Sequence, residues 1–242
     1  MMCEAHVTAV SLTPWQSPPP RKALAERTVH LWRFSLVQDA CTPDLLSPQE
    51  QQRAERLRVP QKARTFTVAR TRLRQILGSY LQIAPQHVSF TCNANGKPLL
   101  DCGTGAQIAF NLSHSGDWGL CAVAQATSVG VDLEAIHAGL AFEPLAERFF
   151  SPTELGWLRS CPTGRRRRNF YRLWTRKEAW LKGKGGGFSE SELGLDPPLV
   201  AAVSACGGGW WVMNFPVARG YVGAVAVAGT VDRIERWDLF VQ

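Results

Sequence analysis

Apolar residues recur at spacings of three and four across residues 61–81, where Phe66, Ala69, Leu73, Ile76, Leu77 and Tyr80 fall on one stripe. That pattern predicts an amphipathic helix. Elsewhere the chain carries short runs rich in β-branched and aromatic residues. Val29-His30-Leu31-Trp32-Arg33-Phe34, Val88-Ser89-Phe90-Thr91, Ile108-Ala109-Phe110, Leu120-Cys121-Ala122-Val123 and Val129-Gly130-Val131-Asp132-Leu133-Glu134 read as strands. Asn95-Gly96 predicts a tight turn after the second of them.

Helix starts are marked by capping residues. Ser47-Pro48 opens a polar helix with Ser at the N-cap and Pro at the first helical position, and Ser151-Pro152-Thr153-Glu154 adds the Glu of a capping box. A helix of mixed face is expected over 144–150. The run Arg165 to Arg168 reads as a basic loop leading into a helix over 169–182. The glycine tract 183–187 follows that helix, so it is a stop and not a phosphate cradle. Trp15-Gln16-Ser17-Pro18-Pro19-Pro20 reads as an extended leader ahead of the folded part.

An offset of 104 residues aligns Gly116, Gly119, Ala122, Val123 and Ala124 with Gly220, Gly223, Ala226, Val227 and Ala228, and likewise Phe66, Arg72 and Leu77 with Phe170, Arg176 and Leu181. Duplication of a unit near that length follows. The fold expected is therefore α+β, in two similar pseudo-twofold-related α/β lobes, residues 1–126 and 127–242. Each would be a small, mainly antiparallel sheet packed on a long helix, with the active site in the cleft between them.

Composition narrows the classes. With 45% hydrophobic residues, 9 Trp and 11 Phe, the chain has ample material for a core and is neither disordered nor fibrous. Lys and Arg exceed Asp and Glu by 27 to 20, a net +7 that favours an anionic partner. The seven cysteines are scattered without C-x-x-C spacing and read as reduced, mostly buried thiols of a cytoplasmic protein. The N-terminus does not resemble a signal peptide, and the longest apolar stretch, 221–229, is about half of the ~20 residues needed to cross a bilayer. No Walker loop, dinucleotide fingerprint, H-E-x-x-H or G-x-S-x-G occurs.

Two segments carry candidate chemistry. The period of two in residues 129–134 puts Asp132 and Glu134 on one face, and the helical period puts Trp174, Glu178 and Lys182 on one stripe. Separately, the strand pair could be a solvated edge, and Glu178 with Lys182 a helix ion pair of about 0.3–0.5 kcal/mol. Together, three carboxylates beside an ammonium form a candidate site for a hard cation such as Mg²⁺, which shares its shell with water and phosphate oxygens. Phe110-Asn111-Leu112-Ser113-His114-Ser115 ends a strand in hydrogen-bonding groups suited to an anion.

Gly96-Lys97-Pro98, Phe110 to Ser115, Gly130 to Glu134 and Trp174-Thr175-Arg176-Lys177-Glu178-Ala179-Trp180-Leu181-Lys182, in that order, resemble the motifs of the 4′-phosphopantetheinyl transferases of the Sfp type. The resemblance covers most of the chain beyond the leader. It implies a monomeric, cytoplasmic holo-[acyl-carrier-protein] synthase that moves 4′-phosphopantetheine from coenzyme A to a serine of an acyl or peptidyl carrier protein, releasing 3′,5′-ADP. The carrier would serve fatty-acid, polyketide or nonribosomal-peptide synthesis. By position, Asp132, Glu134 and Glu178 would hold Mg²⁺, Glu178 would also be the base, and Lys182 would contact the phosphate. Lys97, Ser113 and His114 would bind coenzyme A, with Arg64 as a helper and His114 near the 3′-phosphate.

Relatives often carry a basic pair after the Ser-Pro helix start, where this chain has Glu50 and Arg53. The Arg165 to Arg168 run with Arg172 could dock an acidic carrier. Rival readings are a coenzyme A-binding paralogue without transfer activity and a basic nucleic-acid-binding module. Converging acids would repel a nucleic-acid backbone, and no interleaved aromatic motif is present. Neither nucleic acid nor membrane is therefore the expected partner.

Overall fold

The computed structural model describes residues 10–20, 23–38, 41–101, 108–186, 204–206 and 209–239. Along the chain come β1 (Ser11–Gln16), β2 (Thr28–Ser35), α1 (Pro48–Glu55), α2 (Pro60–Leu81), β3 (Phe90–Cys92), β4 (Pro98–Leu100), β5 (Ile108–Ser115), β6 (Trp118–Gln125) and β7 (Val129–Ala135). They are followed by α3 (Glu143–Phe149), α4 (Pro152–Ser160), α5 (Thr163–Lys184), β8 (Ser204–Cys206), β9 (Trp210–Phe215), β10 (Tyr221–Ala228) and β11 (Arg233–Asp238). The architecture is mixed α+β. One sheet has the order β1-β11-β2-β6-β5, a second β7-β10-β9-β8, and β3 with β4 makes a small hairpin.

Strand alternation sets the layers. Leu31 of β2, Leu120 of β6, Val131 and Leu133 of β7 and Val225 of β10 share one cluster, so the two sheets pack face to face. The opposite face of the first sheet, with Trp32, Phe34 and Val123, is covered by Leu73, Ile76 and Leu77 of α2. On the outer face of the second sheet, Val212, Ala224 and Ala226 meet Ala179, Trp180 and Leu181 of α5. The result is a helix, sheet, sheet, helix stack, and each long helix presents the apolar stripe that its sequence spacing requires.

The capping box predicted at Ser151 is present, and the N-cap predicted at Ser47 is a full capping box as well. Ser47 accepts from the Glu50 amide and Ser151 from the Glu154 amide, with each Glu bonding back to its N-cap. Glu154 has a second role: its Oε2 accepts a 2.6 Å bond from Lys177 Nζ, with both side chains fully buried, which fastens α4 to α5. Truncating one partner of such a pair would leave a buried charge uncompensated.

Three expectations are corrected. Trp15 and Gln16 are part of β1, an edge strand parallel to β11, which tolerates its own Pro14 where the register shifts between Leu12 and Trp15; Pro18 to Pro20 follow the strand. The Arg165 to Arg168 segment is not a loop. Helix α5 begins at Thr163 behind Pro162, and arginine is a good helix former, so the run occupies its first turns. Among the described free cysteines only Cys121 is buried, while Cys41 and Cys92 are exposed. As expected, the polar motif Phe110 to Ser115 ends a strand: β5 runs through His114 to Ser115. Residue 187 of the glycine tract lies outside the described residues.

Gly130 fixes how closely β7 approaches α5. A Cβ there would lie 2.0 Å from the Ala179 carbonyl oxygen and 2.3 Å from the Gly183 amide nitrogen, both backbone atoms that cannot rotate away. Gly130→Ala should therefore lower stability by about 1–3 kcal/mol in urea unfolding, the range for overpacked sites. An unchanged midpoint would refute this packing constraint.

Candidate active site

The site forms where β5, the edge of the first sheet, faces β7, the edge of the second. Asn111, Ser113 and Ser115 alternate along β5 and reach across in register. The Val131 amide donates to Asn111 Oδ1 at 2.8 Å, Ser113 Oγ donates to Asp132 Oδ1 at 2.9 Å, and Ser115 Oγ donates to Glu134 Oε2 at 2.8 Å. Ser115 Oγ also accepts from the Ala135 amide at 3.1 Å. These side chains stand in for the ladder that two edge strands would otherwise form with each other.

On β7, Val129, Val131 and Leu133 enter the core between the sheets, which turns Asp132 and Glu134 toward α5. Helix α5 brings Glu178 and, one turn on, Lys182. Lys182 Nζ donates to Asp132 Oδ1 at 2.6 Å and to Ser113 Oγ at 3.2 Å. Thus Asp132, Glu134, Glu178, Lys182 and Ser113 lie around one centre.

The electrostatics show how crowded these groups are. Burial pushes the Glu178 carboxyl up to about 7; Lys182 opposes that rise, and the nearby Asp132 and Glu134 charges add to it. Glu134 is raised as well, by burial first, with the Ser115 bond and Lys182 acting against it. Asp132 Oδ2 is buried without a hydrogen-bond partner. Among the described residues no group of three or more His, Cys, Asp or Glu side chains is gathered as a ready-made ion cage. Even so, a buried carboxylate oxygen lacking a donor and a neighbouring carboxyl raised by burial first and then by its fellow acids are the groups a divalent cation would satisfy, so the residues present fit one.

The other predicted residues lie around this centre. His114 has the strand parity opposite to Ser113 and keeps an exposed surface. Its imidazole pKa is lowered, first by desolvation and then by the Lys182 ammonium. Arg64, on α2, donates to the Val37 carbonyl at 2.9 Å. Lys97 lies apart from the carboxylates: its Nζ donates to the carbonyls of Gly183 at 3.2 Å and Val129 at 3.3 Å, and burial lowers its pKa.

Glu50 is a structural acid. Its Oε2 accepts from Arg74 Nε at 2.7 Å and from the Ser47 amide at 3.0 Å, and Arg70 binds its other oxygen. Burial raises its pKa, but these guanidiniums and the amide outweigh that and hold the carboxyl below the usual range. Its negative charge is thereby neutralised beside a cavity of about 330 Å³ lined by Ser47, Arg53, Arg70, Phe90, Gly96 and Pro98.

The arginine run divides by role. Arg166 donates to the Cys161 and Arg159 carbonyls at 2.9 and 2.7 Å, and Arg167 to those of His137 and Leu140 at 3.0 and 2.5 Å. Both tie down the end of α4 and the loop before α3. Arg165, Arg168 and Arg172 stay exposed, the latter two lining a cavity of about 160 Å³ with Asn214 and Tyr221.

Sequence reasoning did not assign the bridging roles of Asn111 and Ser115. A signal was present: Ser113 and Ser115 share the period of two of Asp132 and Glu134, at a constant separation of 19 residues.

Comparison with known proteins points to one family. The family described as 4′-phosphopantetheinyl transferase, N-terminal, matches residues 30–126, and the 4′-phosphopantetheinyl transferase superfamily matches residues 128–203. The chain is 40% identical over 223 residues to the 4′-phosphopantetheinyl transferase HetI of Nostoc sp. (strain PCC 7120), covering 89% of this chain and 94% of that protein. It is 39% identical over 140 residues to psf-1 of Bacillus pumilus, 56% of each chain, and 29% identical over 144 residues to Sfp of Bacillus subtilis (strain 168), 60% of this chain and 62% of that one.

The raised carboxyl has a measurable consequence. Between its ordinary value of 4.5 and about 7, Glu178 holds more protons folded than unfolded, so its contribution to stability falls as pH rises through that window. In urea unfolding without added cation, Glu178→Gln should gain on the wild type between about pH 5 and about pH 8. A constant difference would contradict the assignment. The convergence of Asp132, Glu134 and Glu178 and the match over nearly the whole of HetI lead to one conclusion: the chain belongs to the 4′-phosphopantetheinyl transferase family.

Proposed function

We propose that this protein transfers the 4′-phosphopantetheine group of coenzyme A to a serine hydroxyl of an acyl or peptidyl carrier protein, releasing 3′,5′-ADP. The observation that carries the reading is the gathering of Asp132, Glu134, Glu178 and Lys182 on one buried centre, with Asp132 Oδ2 unpartnered there and Glu178 a carboxylate placed to accept a proton. Glu178 takes the proton of the carrier serine while the serine oxygen forms its bond to phosphorus. The phosphorus–oxygen bond to 3′,5′-ADP breaks, and that oxygen leaves as a phosphate oxygen.

Asp132, Glu134 and Glu178 would hold Mg²⁺, which supplies charge neutralisation on the pyrophosphate. Lys182, on Asp132 in this structure, is within reach of the same region and gives its ammonium to a phosphate oxygen. Ser113 orients Lys182 and Asp132 through its two bonds. His114 and Arg64 serve the donor nucleotide, and the cavity beside Gly96 and Pro98 offers it room.

The lobes would be residues 1–126 and 127–242 in a monomeric, cytoplasmic enzyme, with β11 returned to the first sheet. Parallel pairing of β11 with β2, as of Ile234 with Val29, ties the end of the chain to its beginning. The matches of β6 with β10 and of α2 with α5 support two related halves. Arg165, Arg168 and Arg172 would steer an acidic carrier, a contribution expected in association rate and salt dependence. Among the described residues no helix is long and apolar enough to cross a membrane.

The test is transfer from labelled coenzyme A to a panel of apo carrier proteins with Mg²⁺. Wild-type protein should modify at least one carrier at a serine, and Glu178→Gln should lose at least about 10²-fold in turnover while still binding coenzyme A. Failure to label any carrier would refute the function, and near-normal turnover by the variant would refute the role of Glu178.

A further inference from the structure

The β3–β4 hairpin reaches out of the first half of the chain and grips the C-terminal end of α5. Asn93 and Asn95 each donate from Nδ2 to the Gly185 carbonyl, at 3.1 and 2.8 Å, and Lys97 Nζ binds the Gly183 and Val129 carbonyls. The hairpin is shaped for this task. Asn93 Oδ1 accepts from the amides of Asn95 and Lys97 at 3.0 and 2.8 Å, and Gly96 takes φ +79°, which together present three donors on one side of the turn.

The receiving end is equally specific. Carbonyls at the end of a helix have no intrahelical donor and carry the negative pole of its dipole, so amides and an ammonium are the right caps. Gly185 lies at φ +81°, and a Cβ there would come within 2.8 Å of Asn93 Nδ2. Gly183 sits one residue after Lys182 and packs on Gly130 of β7, so the grip holds α5 and β7 together next to the carboxylates.

We infer that the Asn93-Asn95-Lys97 hairpin is an inter-lobe strut that fixes the axial position of Glu178 and Lys182 on α5 against Ser113 and His114 on β5, with Lys97 a positioning residue rather than a contact of the donor phosphates. The inference rests on the proposed function for what is positioned, and on the hydrogen bonds alone for the strut. With Ser113 of the first sheet on Lys182, the hairpin gives α5 two points of registration less than one turn apart. Lowering of the Lys97 pKa by burial accords with an ammonium enclosed among carbonyls.

The experiment joins hydrogen exchange, calorimetry and kinetics on the full chain with Lys97→Met, Lys97→Arg and Asn95→Ala. The Gly185 and Gly186 amides bond to carbonyls of the last helical turn. In Lys97→Met and Asn95→Ala they should exchange at least about tenfold faster, as the turn frays. Coenzyme A titrated calorimetrically should bind Lys97→Met within about twofold of wild type while turnover falls at least about tenfold, and Lys97→Arg, which keeps the cation, should recover part of that loss. If Lys97→Met weakens coenzyme A binding about tenfold with unchanged turnover and unchanged exchange at Gly185 and Gly186, the lysine is a ligand contact and the inference fails. Asn95→Ala leaves the charge in place and decides the strut should Lys97→Met not fold. A wild type inactive on every carrier would refute the proposed function, while the exchange rates would still judge the strut.

Discussion

Burial of Asp132, Glu134 and Glu178 together is the constraint that the rest of this structure answers. Two carboxylates leave one face of β7 and a third comes from α5, so none can relax without moving an element. Burial prevents water from screening them, and Glu178 responds by rising to about 7. What holds them is a set of neutral donors and one ammonium: Ser113, Ser115 and Lys182. The remaining buried oxygen of Asp132 lacks a partner, which leaves the centre matched to an added positive charge.

Holding that arrangement requires backbone precision, and the sequence supplies it with glycines and a buried ion pair. Gly130 lets β7 touch α5, Gly185 lets the β3–β4 hairpin touch its end, and Lys177 with Glu154 anchors the helix at the residue before Glu178. These contacts face away from the reacting groups, yet each sits within a turn or a strand residue of one. The site thus depends on packing that a list of its polar side chains would not show.

Local features were legible in the sequence because local physics sets them. The spacing of Phe66 to Tyr80 marked α2, the Ser-Pro pairs at Ser47 and Ser151 marked helix starts, and the alternation around Asp132 marked its strand and the shared direction of its acids. Features decided by distant partners were not. Nothing local pairs Ile234 with Val29 or makes an edge strand of Ser11 to Gln16. Arg166 and Arg167 look like surface charge until their carbonyl partners are seen, and nothing local tells that Lys97 binds the Gly183 and Val129 carbonyls. Charge in a sequence states an appetite for partners; only the fold says which ones satisfy it.

The most direct measurement is a carboxyl ¹³C NMR titration of Glu178 in the full chain, with and without Mg²⁺. Without the ion, Glu178 should titrate near 7. With saturating Mg²⁺, its apparent pKa should fall by at least about two units, because the cation would favour the charged form that burial and two acids disfavour. An unchanged titration, or one already near the ordinary carboxyl value in the absence of Mg²⁺, would contradict the claim that the three carboxylates form one cation-binding unit.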